Sequence, residues 1–134
     1  MRIVVDTSAI VAILQDEPES MAFIKFLAAH DVSMSAASLI ETLRVMRIRR
    51  TEGGVSRVWD IIEAQDISVA AVDREQVALA DEGMRRFGKG RDAPPAVLNF
   101  GDLFAYALAR QLKAPLLFKG SDFAQTDITP ALPD

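Results

Sequence analysis

The chain contains no cysteine, one histidine, one tryptophan and one tyrosine in 134 residues. Without cysteine there is no disulfide framework, no Cys-ligated zinc and no thiolate nucleophile. A single imidazole, His30, excludes catalysis by a histidine pair, and its place at a predicted helix end suits the C-terminal dipole. Long hydrophobic runs are also missing, and no segment approaches the roughly 20 apolar residues that span a bilayer. The opening Met1, Arg2 and Ile3-Val4-Val5 starts like a signal peptide, but Asp6 interrupts it and no small-residue cleavage site follows Leu14. A soluble cytoplasmic protein with no membrane partner is the expectation. Positive charge is scarce too: 15 Lys+Arg stand against 19 Asp+Glu, for a net charge of -4. That balance argues against coating nucleic acid by bulk charge, though not against cutting it.

Half the residues are hydrophobic, and the length fits one domain, residues 1–134, with a core that needs no staples. Ile3 to Val5 is a short β-branched run of the kind buried on both faces of a sheet. Ser8 can cap a helix through Leu14, and Pro18 suits the first turn of a second helix ending near His30. A strand over Val32 to Met34, a helix from Ala36 to Arg50 capped by Ser35, a helix from Val55 to Gln65 and a strand over Ile67 to Val72 follow. Asp73 and Gln76 have capping-box spacing for a helix to about Phe87. After a long loop, Gly88 to Phe100, come a helix from Gly101 to Lys113, a strand over Leu116 to Phe118 and a short closing strand near Asp127 to Thr129. Strands alternating with helices predict an α/β sandwich around a mostly parallel sheet of four to five strands.

Four carboxylates occupy costly positions. Asp6 follows the first strand and Asp122 follows the strand Leu116 to Phe118, so both can face the crevice beyond the strand ends. Glu41 shares its helical flank with Ala37, Val45 and Ile48, and Asp102 opens a helix that is apolar all round. Burying such groups costs several kcal/mol unless each is paired or bound to a metal. Local roles compete with this reading. Asp6 can cap the first helix, Asn99 can cap the helix that carries Asp102, Glu41 can pair with Arg44, and Gly120-Ser121-Asp122 is ordinary turn chemistry. Converging carboxylates suit one or two Mg²⁺ or Mn²⁺ ions and phosphoryl chemistry, in which one ion activates water and a second, about 4 Å away, stabilises the leaving oxygen.

In order along the chain, Ile3-Val4-Val5-Asp6-Thr7-Ser8-Ala9, Ala36-Ala37-Ser38-Leu39-Ile40-Glu41, Leu98-Asn99-Phe100-Gly101-Asp102 and Phe118-Lys119-Gly120-Ser121-Asp122-Phe123 resemble the four acidic motifs of PIN-domain ribonucleases. More narrowly, the chain resembles the toxin subunit of VapBC-type toxin–antitoxin modules. The resemblance implies a PIN-like three-layer sandwich and a Mg²⁺- or Mn²⁺-dependent endoribonuclease that cleaves tRNA or rRNA and is neutralised by a VapB-type antitoxin. It implies that Asp6, Glu41, Asp102 and Asp122 are the catalytic and metal-binding quartet, with Thr7, Ser8, Asn99 and Ser121 as supporting polar groups. Ser121 stands where many relatives have another acid, which bears on whether one ion or two are held.

Arg85, Arg86, Lys89 and Arg91 form a basic cluster running into a glycine-containing loop and are the favoured RNA contacts. Arg44, Arg47, Arg49 and Arg50 form a second cluster at a predicted helix end, where they also complement the dipole. The apolar helices Ala9 to Leu14 and Met21 to Leu27 offer core packing first, and beyond that a groove for an antitoxin helix and a homodimer contact. Two other readings remain. One is a PIN-like module that binds RNA or protein with little or no cutting. The other is a receiver-like phosphotransfer domain using Asp73 and Lys119.

Overall fold

β1 (Arg2–Val5) is the strand around which the sheet is laid, because Ile3, Val4 and Val5 are fully buried. A computed structural model of the chain describes residues 1–50, 53–90 and 94–132. After β1 come α1 (Thr7–Leu14), α2 (Ser20–Ala28), β2 (Asp31–Ser35), α3 (Ala36–Ile48), α4 (Gly54–Ala64) and β3 (Ser68–Ala70). α5 (Arg74–Phe87), α6 (Asp102–Leu112), β4 (Leu116–Leu117) and a 3₁₀ turn at Phe123–Gln125 complete the described order. Every strand pairing is parallel and the order is β3-β2-β1-β4. The chain therefore builds outward from β1 to β3 and then returns to the opposite side of β1. That reversal leaves a crevice beyond the ends of β1 and β4, the usual ligand position in an open parallel sheet.

Side-chain alternation along the strands divides the interior in two. Ile3, Val5, Val32, Met34 and Leu117 point into a core roofed by α1, α2, α3 and α4, whereas Val4 and Leu116 point into a core with α5 and α6. The result is the expected three-layer α/β sandwich with four strands, all parallel. α1 is buried on all sides, so it offers no apolar groove, while Met21 on α2 is exposed. The expected closing strand near Asp127 is reduced to one parallel bridge between Leu116 and Pro130. The strand expected over Ile67 to Val72 is only Ser68–Ala70, and the helix expected to reach Arg50 ends at Ile48.

Side-chain caps fix the starts of α3 and α5. Ser35 accepts from the Ala37 N–H, and Asp73 accepts from the Gln76 N–H at 2.9 Å. The Gln76 side chain does not close the expected capping box; it donates instead to the Ala71 carbonyl at 2.9 Å and to Gln111 Oε1 at 2.8 Å. α5 and α6 are clamped by charge as well as by apolar contact. Arg86 pairs with Glu82 and Asp127 at 3.2 and 3.0 Å, and Arg110 reaches the same two acids at 3.5 and 3.4 Å. The two helices approach closely where Gly83 meets the ring of fully buried Tyr106; a Cβ at Gly83 would stand 2.7 Å from Tyr106 Cε1. Gly83→Val should therefore cost about 1–3 kcal/mol of stability by overpacking, read as a lowered urea midpoint.

Candidate active site

Asp6 is the first residue past β1, and its position makes it the cap of α1: its Oδ2 accepts from the Ser8 N–H at 3.0 Å. Ser8, expected to be the cap, has a different task. Its hydroxyl accepts from the Lys119 N–H at 3.0 Å and so ties the start of α1 to the segment after β4, across the crevice. Burial (4 % exposed) raises the Asp6 pKa to about 6; the Ser8 hydrogen bonds oppose that rise, and the charges of Asp102 and Glu41 add to it.

Glu41 lies in the second turn of α3, half-buried, and its carboxylate rests on the backbone at Gly101, just before α6. A side chain at Gly101 would overlap that carboxylate, so the close approach requires glycine. Glu41 and Arg44 form no ion pair, although their spacing allows one. Asp102 is fixed by reciprocal bonds: the Asn99 N–H donates to Asp102 Oδ2, and the Asp102 N–H donates to Asn99 Oδ1, each at 3.0 Å. Asn99 is thus the cap of that helix start, as its spacing predicts. Burial pushes the Asp102 pKa upward, the Asn99 bond and Lys89 lower it, and Asp122 and Glu41 raise it.

Asp6, Glu41 and Asp102 line one open cavity of about 300 Å³, together with Thr7, Ser8, Val11, Glu17, Val45, Arg49 and Lys119. Asp122 is exposed and outside this lining, although its charge acts on Asp102. Ser121 lines a different cavity, with Phe118 and Ala124. Among the described residues no three acids or histidines stand close enough together to form a ready metal cage. The donor set is all oxygen, and no Lys or Arg is paired with Asp6, Glu41 or Asp102 among the described residues. That chemistry fits a hard divalent cation which keeps part of its water shell.

The basic residues are distributed differently from their order in sequence. Arg85 pairs with Asp81 at 3.9 Å, Arg86 is held by Glu82 and Asp127, and neither lines the cavity. Lys89 is exposed and acts on Asp102, and Arg91 lies outside the described residues. His30 bonds the Phe26 carbonyl at 2.8 Å and stacks on the Phe26 ring, a helix-end role. Asp73 is a helix cap and Lys119 pairs with Glu17 and Glu19, which removes both groups from a phosphotransfer reading.

Sequence reasoning misses Thr42. Its hydroxyl lies 3.0 Å from the Thr7 hydroxyl, which donates to the Ser38 carbonyl at 2.9 Å, and all three residues are buried. This chain of bonds fixes α3 against the start of α1 directly beneath Asp6 and Glu41. A threonine next to a candidate acid is the only sequence signal for it.

The PIN domain family model matches residues 3–128. The chain is 42% identical over 132 residues to a VapC ribonuclease of Mycobacterium bovis, covering 97% of this chain and 99% of that one. It is 43% identical over 126 residues to Ribonuclease VapC of Mycolicibacterium smegmatis, covering 93% and 96%. Among solved structures it is similar to Mycobacterium tuberculosis VapC20, described as a sarcin-ricin loop cleaving toxin, with a TM-score of 0.75 at 19% identity over 98% of this chain and 99% of that one. A second likeness is to VapBC2 from Rickettsia felis bound to a promoter DNA fragment, with a TM-score of 0.74 at 14% identity and 97% of each chain covered. At those identities the structures establish the fold alone.

The raised Asp6 pKa has a measurable sign. Between the unfolded value near 3.8 and the folded value of about 6, the folded protein keeps a proton that the unfolded chain has lost, so stability falls as pH rises through that window. A shift of that size corresponds to about 3 kcal/mol. Asparagine caps a helix as well as aspartate does and carries no charge. Asp6→Asn should therefore stabilise the metal-free protein by about 1–3 kcal/mol near pH 7.5, with the gap closing toward pH 4 in urea titrations containing EDTA. An identical gap at both pH values would mean that the ionised Asp6 carries no folding penalty.

Proposed function

The chain belongs to the PIN domain family, and from that premise we propose that it is an endoribonuclease toxin which cuts RNA at the cavity lined by Asp6, Glu41 and Asp102. The observation that carries the reading is the gathering of three carboxylates from three separate elements at the crevice beyond β1, with the buried Asp6 left without a counterion. Burying negative charge in this way costs stability and is compensated by a cation that arrives with the reaction. Asp6, Glu41 and Asp102 are the residues that hold it, and Asp122 adds a fourth negative charge beside Asp102. A divalent ion held there, Mg²⁺ or Mn²⁺, would supply a water of lowered pKa and positive charge opposite the phosphate. Ser8 and Asn99 fix the orientation of Asp6 and Asp102 through the 3.0 Å bonds described above. Thr7 sets the backbone from which Asp6 projects.

The RNA is a structured one, tRNA or rRNA, and the activity is held in check by a VapB-type antitoxin encoded with the toxin. The relatives' names and the toxin–antitoxin complexes among the similar structures support this reading. A homodimer in the cytoplasm is the proposed working form. Among the described residues no helix is long and apolar enough to cross a membrane.

The test is cleavage of purified tRNA and rRNA with Mg²⁺ or Mn²⁺. Cleavage should vanish in EDTA and fall at least about a hundredfold in Asp102→Asn, which retains a side-chain acceptor for the Asn99 N–H and whose fold is checked by circular dichroism. Cleavage that persists in EDTA, or in a folded Asp102→Asn protein, would overturn the mechanism.

A further inference from the structure

We propose that Arg49 is the substrate-binding cation of this site, gripping an RNA phosphate next to the one that is cut. The inference rests on the RNA-cutting reading and adds to it the residue that draws a polyanion toward an acidic cavity.

Glu41, Val45 and Arg49 are spaced four residues apart on one face of α3 and its C-cap, and all three line the cavity. At 1.5 Å of rise per residue, the backbone positions of Glu41 and Arg49 are about 12 Å apart. The cavity is therefore a trough that runs along α3 from Glu41 past Val45 to the Arg49 guanidinium, and its lining also holds Asp6, Asp102, Val11 and the Glu17–Lys119 pair.

Two cations line this trough, and their partners distinguish them. Lys119 Nζ lies 3.0 Å from Glu17 Oε1 and 3.4 Å from Glu19 Oε1, so two carboxylates face its single charge. Arg49 instead donates from one guanidinium nitrogen to the neutral Gln15 Oε1 at 2.6 Å. A neutral acceptor orients the group without cancelling its charge, and a guanidinium has five N–H donors, so an edge remains for bidentate contact with phosphate. Gln15 is the C-cap of α1, the helix whose other end is capped by Asp6. One short helix thus fixes both the first acid and the anchor of the cation. Of the four sequence-based choices for RNA contact, Arg85 and Arg86 face Asp81, Glu82 and Asp127, the exposed Lys89 acts on Asp102 outside the trough lining, and Arg91 lies outside the described residues.

Binding is measured by fluorescence anisotropy of a labelled single-stranded oligoribonucleotide of mixed sequence, in EDTA, so that affinity is read apart from cleavage. Arg49→Gln should weaken binding about tenfold and lower the slope of log Kd against log salt by about 0.7, the loss of one phosphate contact on a single strand. Arg49→Lys should recover part of the affinity. Gln15→Leu should fall between wild type and Arg49→Gln, and Arg57→Gln on α4 should bind as wild type does. With Mg²⁺ present, the Arg49→Gln loss in kcat/KM should be carried by KM. An unchanged affinity and salt slope in Arg49→Gln, or an equal loss in Arg57→Gln, would overturn the proposal. A wild-type protein that binds RNA through Arg49 without cutting it sinks the catalytic reading and leaves this one standing. One that cuts RNA while Arg49→Gln binds normally does the reverse.

Discussion

A carboxylate fixed at the end of the central strand, 4 % exposed and facing no cation among the described residues, constrains everything built around it. Asp6 has to sit there because β1 ends in a run of β-branched residues buried on both faces, and the turn into α1 needs an acceptor for the Ser8 N–H. Capping supplies one partner for the charge and leaves the greater part of its desolvation unbalanced. Glu41 and Asp102 then deepen the negative potential instead of relieving it. Folding without a ligand is accordingly strained in charge, while the backbone at Asp6 is ordinary extended chain. The cation proposed for the site would relieve that strain on binding.

The surrounding structure keeps that strain local. Asp6 is anchored by Ser8 and Asp102 by Asn99, each a few residues away, whereas Glu41 on α3 rests on the backbone at Gly101 before α6, and among the described residues no basic side chain pairs with any of the three. The cations lie farther out. Arg85 and Arg86 on α5 are tied to acids on the same helix, and Arg86 also to Asp127, where with Arg110 it clamps α5 to α6, whereas the trough keeps Arg49 on a neutral anchor. A low overall pI is thus compatible with binding a polyanion, since what counts is which cations have their charge matched by neighbours and which do not.

Much of this is legible in the sequence. The buried strand, the alternation of strands and helices, the Asn99-to-Asp102 spacing and the Asp73 cap depend on neighbours a few residues apart and reappear in the structure, while Gln76 leaves the return half of its capping box open. What is not legible depends on distant partners. The role of Gly101 is defined by Glu41, sixty residues earlier, and the hydroxyl chain from Thr42 to Thr7 joins two helices. α1 reads as an apolar helix, but only the packing of α2, α3 and α4 shows that it has no face left over. The ion pairs of Arg85 and Arg86 occupy a middle ground. Asp81 and Glu82 stand four residues before them, a spacing that predicts pairing, whereas Asp127 cannot be anticipated.

The sheet separates two cores, one beneath α1 to α4 and one beneath α5 and α6, and beyond its edge a side chain of α3 touches the start of α6 at Gly101. The three candidate site acids belong to both layers: Asp6 and Glu41 to the first, Asp102 to the second. An ion held among them, as proposed above, would act as a clasp across a seam, because neither layer could then peel from the sheet without releasing the ion.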